Sequence, residues 1–158
     1  MKKTFLIGAM AAIALSSCKK NEQAGPLAVE ETPTVPAPAV RSQEEMIKNA
    51  QNKPLTNVAI SENHFDFGKI KKGDKVQHVY EITNTGSNPL VISEVVPGCG
   101  CTAPSFTKEP ILPGKTGQIT LSFDSSSFDG VVGKEASVYA NVEKSPIVLT
   151  FSANIQAK

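Results

Sequence analysis

Two stretches of strict alternation constrain the fold of this chain more than any other feature. Ile119, Leu121 and Phe123 alternate with Gln118, Thr120 and Ser122, and Ile147, Leu149, Phe151, Ala153 and Ile155 alternate with Val148, Thr150, Ser152 and Asn154. Successive side chains of a strand point to opposite faces, so a period of two marks a half-buried strand with one apolar face. Further runs of this kind lie at Val58 to Ser61, Val76 to Thr83, Leu90 to Val96 and Ala136 to Val142. Turn residues separate them: Lys72-Gly73-Asp74, Thr85-Gly86-Ser87-Asn88-Pro89, Leu112-Pro113-Gly114-Lys115 and Phe128-Asp129-Gly130. About seven short antiparallel strands at this spacing predict an all-β sandwich or barrel. Helix-length apolar periods are absent after Thr56, which argues against a βαβ fold.

The first part of the chain reads differently. Met1-Lys2-Lys3 precedes an apolar run from Phe5 to Leu15 and the small residues Ser16 and Ser17. This is the charge, length and cleavage chemistry of a secretory signal, and the run is too short to span a bilayer as a helix. Leu15-Ser16-Ser17-Cys18 resembles the bacterial lipobox. The resemblance implies cleavage before Cys18, acylation of its thiol, and attachment to a membrane through the lipid. Two or three acyl chains, at about 0.8 kcal/mol per buried CH₂, anchor stably where one is marginal. Lys19 stands where proteins similar to this one carry an aspartate as an inner-membrane retention signal, so the outer membrane of a bacterial envelope is favoured.

From Lys19 to about Val40 the chain is rich in Pro, Ala, Glu and Thr, with Pro26, Pro33, Pro36 and Pro38, and has little to bury. Counted on to Pro54, such a tether reaches roughly 30 to 35 Å as a flexible coil. Within it, Ser42 lies three residues before Glu45, the pattern of a capping box opening a short helix over 43–51. A helix of that length frays unless it docks. The expected organisation is a lipoprotein signal peptide over 1–17, a lipidated tether over 18–54 and one folded domain over 55–158. Of 158 residues, about 100 remain for that core, which is one domain of ordinary size.

Charge excludes one partner class. Two of the 16 basic residues, Lys2 and Lys3, lie in the leader, so 14 face 15 acidic ones in the mature chain, a balance of −1. The densest basic cluster, Lys69, Lys71, Lys72 and Lys75, flanks a turn and reads as solvated charge. Nucleic acid is therefore not an expected partner.

A longer string of motifs carries a family resemblance. Asp66-Phe67-Gly68, the strand Val76-x-His78-x-Tyr80-x-Ile82-x-Asn84-Thr85-Gly86, Pro89-Leu90-x-Ile92, Cys99-Gly100-Cys101-Thr102, and Pro113-Gly114 before an alternating strand occur in this order. Over about Phe65 to Ile155 they resemble the domain-of-unknown-function family DUF1573. That family is similar in turn to immunoglobulin-like domains of abnormal-spindle and major-sperm-protein type. The resemblance implies an immunoglobulin-like β-sandwich and a binding or scaffolding role, with no established activity.

Cys99 and Cys101 are the sharpest local chemistry once the thiol of Cys18 is consumed by lipid. Cα atoms one residue apart lie at about 5.5 to 7 Å, against about 4.4 to 6.8 Å for a disulfide, so closure requires a bend. Gly98 and Gly100 are expected to supply it through backbone regions that other residues avoid. A ring this small would be strained and readily reduced. Four roles stay open for the pair: a structural loop, a thiol-redox site, a soft-metal site suited to two-coordinate Cu(I), and a contact loop for a protein partner.

Zinc would need four ligands, and the only histidines are His64 and His78. His78 shares a strand face with Val76, Tyr80 and Ile82 and reads as a half-buried residue satisfied locally, while His64 is expected in an exposed turn. Ser125, Ser126 and Ser127 lie in a loop with no histidine pairing signature, and no glycine-rich phosphate loop is present. The phenylalanines at strand spacing read as core, and the chain has no Trp for a sugar-stacking platform. The expected function is a nonenzymatic, membrane-anchored binding or structural module with a protein partner in the envelope and no cofactor. The alternative is thiol-redox or copper chemistry at Cys99-Gly100-Cys101.

Overall fold

The computed structural model describes residues 41–157. The signal peptide, Cys18 and the tether up to residue 40 lie outside the described residues. The elements are a helix α1 (Gln43–Ala50) and eight strands: β1 (Val58–Ile60), β2 (His64–Lys71), β3 (Lys75–Asn84), β4 (Ile92–Pro97), β5 (Thr102–Phe106), β6 (Thr116–Asp124), β7 (Gly130–Ala140) and β8 (Ile147–Gln156). Two four-stranded sheets form, in the orders β1-β3-β6-β5 and β2-β8-β7-β4.

The alternating faces meet between the sheets. Tyr80, Ile82, Leu121 and Phe123 of the first sheet pack on Val138, Leu149, Phe151 and Ala153 of the second, each at most 1% exposed. Burial of each large apolar side chain contributes on the order of 1.5–3 kcal/mol. Phe123 and Phe151 bridge the layers with ring centroids 5.3 Å apart.

The expected immunoglobulin-like β-sandwich is present, and it differs from about seven antiparallel strands in two details. There are eight strands, and β2 runs parallel to β8, from His64 opposite Thr150 to Lys71 opposite Gln156. The alternation of β2 breaks at a bulge between Asp66 and Lys69, where Gly68 has φ 65°, so Phe65 and Phe67 face the core in one phase and Ile70 in the other. The fifth strand reads Thr-Ala-Pro-Ser-Phe, with no apolar run to announce it.

Buried asparagines close the pole at the Asn84-Thr85-Gly86 turn. Asn84 Nδ2 donates to the carbonyls of Asn88 and Ile111, both at 2.8 Å, and its Oδ1 accepts from Thr56 Oγ1 and Gly86 N. Asn141 Nδ2 donates to Pro54 O and Pro89 O, and its Oδ1 accepts from Val91 N, which ends the expected Leu90 strand register and lets β4 begin at Ile92. Gly86 has a reason to be glycine, since a Cβ there would collide with Thr56 Oγ1 and lie 2.6 Å from Asn57 N.

The capping box is present: Glu45 N donates to Ser42 Oγ, and Ser42 N donates to Glu45 Oε2. The helix is docked. Ala50 is fully buried, Gln51 Nε2 donates to Val142 O, and Arg41 pairs with Glu94 of β4 at 2.7 Å.

All four sheet edges are blunted against pairing with another strand. Strand β1 has three residues, β2 is bulged, and α1 lies against β4. On β5, Cys101 O and Thr107 N bond to β6, so by antiparallel alternation residues 102, 104 and 106 turn their backbone outward. Pro104 occupies the middle one and has no N–H to offer.

Candidate functional site

The loop Gly98–Cys101 carries the chain from β4 of one sheet to β5 of the other, at the pole opposite the buried asparagines. Gly98 N donates to Glu135 O, Thr102 N to Cys99 O and Asp124 N to Cys101 O, so both neighbouring strands fix the loop. Cys99 and Cys101 form a disulfide with their Cα atoms 5.3 Å apart. The bend does not use the left-handed region: positive φ occurs at Gly68, Gly73, Gly114 and Gly130, and neither Gly98 nor Gly100 is among them. What Gly98 supplies is space, since a Cβ there would sit 3.3 Å from Glu135 Cγ.

The two sulfurs have different surroundings. Cys101 packs against the hydrophobic core, whereas Cys99 does not. Thr102, 4% exposed, places its hydroxyl 3.7 Å from Cys99 Sγ and 3.8 Å from Cys101 Sγ. Neither sulfur of a disulfide carries a proton, so the Thr102 hydroxyl is the donor.

Three open concavities meet at the loop. One, of about 420 Å³, runs over the outer face of the second sheet past Gly98, Glu135, Thr150 and His64. A second, of about 490 Å³, lies between the disulfide and Ser126, Ser127 and Phe128. The third, of about 250 Å³, is bounded by Lys75, Ala103 and Ser122. Asp124 borders the last two. Hydrogen bonds from the Ser126 hydroxyl and N–H hold its carboxyl below the ordinary carboxylate value, with Lys75 Nζ 3.5 Å away adding to the effect.

His64 opens β2 and does not sit in a turn; it is exposed, with Nδ1 2.9 Å from Thr150 Oγ1 and Nε2 3.3 Å from Ser152 Oγ. Ser152 Oγ donates to Asp66 Oδ1, and Gly68 N does the same, which lowers the Asp66 pKa. His78 is half-buried, stacked on Phe65 at 3.6 Å and 2.8 Å from Glu62 Oε1. Ser125 is fully buried and serves the Lys72-Gly73 turn, accepting from Gly73 N and lying within 3.0 Å of the carbonyls of Lys71 and Asp74. Two lysines of the cluster pair with carboxylates, Lys72 with Asp129 and Lys75 with Asp124.

Neither histidine adjoins both cysteines, and no group of three His, Cys, Asp or Glu suited to a metal occurs among the described residues. A Cu(I) site at Cys99 and Cys101 would first require reduction to thiolates. Thr102 closes the Cys99-Gly100-Cys101-Thr102 motif, but nothing in that motif marks it as a partner of both sulfurs, and Gly133 carries no mark as an open stretch of the groove floor. Thr102 differs from other strand threonines only in its place after Cys101.

Comparisons with known proteins agree with this architecture. No curated protein matches the chain. Among solved structures, a Porphyromonas gingivalis W83 protein of unknown function is similar at 18% identity and TM-score 0.56, over 66% of this chain and 48% of that one. The chain thus spans about half of that protein's length. The ASH / PapD-like domain of human CEP192 is similar at 13% identity and TM-score 0.51, over 67% of this chain and 90% of that domain. The VesB protease of Vibrio cholerae matches at 13% identity and TM-score 0.50, over 72% of this chain and 34% of that one. At these identities the likeness is one of fold, an immunoglobulin-like, PapD-like sandwich. The family described as "Protein of unknown function (DUF1573)" matches residues 58–155, more than half of the chain, so the protein belongs to DUF1573.

Proposed function

We propose that this chain is a lipid-anchored protein of the bacterial envelope, with the outer membrane favoured, whose sandwich is a nonenzymatic module that docks a protein partner through its Cys99-Gly100-Cys101 pole. Cleavage before Cys18 and acylation there hold the module at the membrane, and the tether ahead of the docked helix α1 sets its reach. Nucleic acid is not the partner, given the balanced charge.

The observation that carries the docking reading is the contrast between the edges and the pole. Strand addition is a common recognition mode for sandwiches, but it needs a run of free N–H and C=O groups. Pro104 interrupts that run on β5, and the other edges are short, bulged or faced by α1. The disulfide loop instead stands between concavities on both sides and is fixed by both sheets, so a partner meets a preorganised surface.

A photo-crosslinking residue at Gly100, where a Cβ meets nothing within 4 Å, tests this in cells. The same residue at Lys115, at the opposite end of β6, is the control. Repeated capture of one protein neighbour from position 100 and not from 115 is expected. No capture from 100, or equal capture from both, overturns the docking reading.

A further inference from the structure

The pole carries chemistry that docking does not use: a disulfide open to the concavities, with two unlike sulfurs and a buried hydroxyl oxygen within 3.8 Å of each. We infer that Cys99–Cys101 is a thiol–disulfide exchange site that accepts two electrons from paired thiols of a polypeptide substrate, with Cys99 attacked first, Cys101 as leaving group and Thr102 as the residue that positions and stabilises the departing thiolate.

The assignment follows from surroundings. Cys99 borders the groove along Gly98, Gly133 and Glu135, where two positions without side chains leave room for an extended chain. Both sulfurs border the concavity beside Ser126 and Phe128, but only Cys99 borders the groove and only Cys101 packs on the core, so a chain lying in the groove presents its thiolate to Cys99. Attack forms a bond between the substrate sulfur and Cys99 Sγ and breaks the Cys99–Cys101 bond, whose electron pair leaves on Cys101 Sγ. That thiolate accepts a hydrogen bond from the Thr102 hydroxyl, 3.8 Å away, and is then protonated once, from solvent. A second substrate thiolate attacks the substrate's own sulfur in the mixed disulfide and expels Cys99 as a thiolate. The substrate leaves with a disulfide, oxidised by two electrons, and this chain holds two thiols.

The hydroxyl fits this role better than a purely structural one. Its recorded partners among the described residues are the two sulfurs, and it is nearly excluded from water. A donor there gains strength as the sulfur becomes charged, because hydrogen bonds to charged groups exceed those between neutral ones.

The full chain is tested with reduced glutathione as the thiol probe, with peptide mapping to read each cysteine separately. The expected first product is a glutathione adduct on Cys99. Cys101→Ser, treated with oxidised glutathione, should accumulate the Cys99 adduct, while Cys99→Ser should react on the order of tenfold more slowly at Cys101. Thr102→Val should slow reduction of the disulfide by about tenfold, the effect of one charge-assisted hydrogen bond, and Thr102→Ser should restore it. Rescue by serine separates positioning from loss of fold, which circular dichroism reads independently. A disulfide that resists glutathione until the chain is denatured, a first adduct on Cys101, or equal rates for Thr102→Val and the parent overturns the inference. These measurements use purified chain, so their failure leaves the docking reading standing, and failed crosslinking in cells leaves the exchange standing.

Discussion

Replacing Asn84 with alanine tests how the sandwich is closed at the pole opposite the disulfide. The side chain is fully buried and makes four hydrogen bonds. Two of its partners keep another bond when it is removed: Ile111 O still accepts from Leu90 N, and Gly86 N still donates to Asn57 O. The Thr56 hydroxyl and the Asn88 carbonyl lose the hydrogen bond recorded for each among the described residues. An unsatisfied buried group such as the Thr56 hydroxyl costs about 1–3 kcal/mol and the part-buried Asn88 carbonyl costs less, so Asn84→Ala should destabilise the domain by about 1–4 kcal/mol. A domain of this size has about 5–15 kcal/mol in total. With each kcal/mol worth about 4–8 °C, the midpoint should fall by at least about 4 °C. Thermal and urea melts followed by circular dichroism measure this, with Ser87→Ala, an exposed neighbour, as comparator within about 0.5 kcal/mol. A loss below about 1 kcal/mol for Asn84→Ala would refute the reasoning, because it would mean that water replaces the asparagine without cost.

Gly86→Ala should also destabilise, by about 1–3 kcal/mol, because the new methyl collides with Thr56 Oγ1; a melt unchanged from the parent contradicts this. Burial and the Glu62 charge push the Tyr80 hydroxyl up to about 12 from 10.0, so ultraviolet titration should show one tyrosine ionising late. Folding favours its neutral form, so that contribution is intact below pH 10 and is lost as pH rises toward 12; a midpoint near 10 for Tyr80 is the contrary result. Asp66, held down by the Gly68 N–H and the Ser152 hydroxyl, should titrate below 3.8 by NMR, and Ser152→Ala should raise its midpoint. Since folding favours the carboxylate, its contribution is present above pH 3.8 and fades as pH falls below it; an Asp66 midpoint at or above 3.8 counts against the hydrogen bonding.

Strands β6 and β8 were legible because each has one face in the core and one in solvent, so Ile119-Leu121-Phe123 and Leu149-Phe151-Ala153 repeat at the strand period. Ser42 and Glu45 announced α1 for a local reason, since a capping box is written within four residues. Strand β2 was hidden by the bulge at Gly68, which shifts its apolar phase, and its parallel pairing with β8 joins residues more than 80 positions apart. Strand β5 was hidden by its position at an edge, where Pro104 and Ser105 are tolerated. The cysteine pair was visible, yet its state was open, because closure depends on a backbone path that spacing alone does not fix. Thr102 was invisible as a site residue for the same reason: its meaning comes from facing both sulfurs, which only the crossing from β4 to β5 arranges.

Intact-mass spectrometry of the chain purified from membranes tests the membrane-held account most directly. The account predicts a polypeptide that begins at Cys18 and carries diacylglycerol on its sulfur, from which ester hydrolysis removes the two acyl chains and leaves glycerol in thioether linkage. A chain that still begins at Met1, or a free thiol on Cys18, would contradict it.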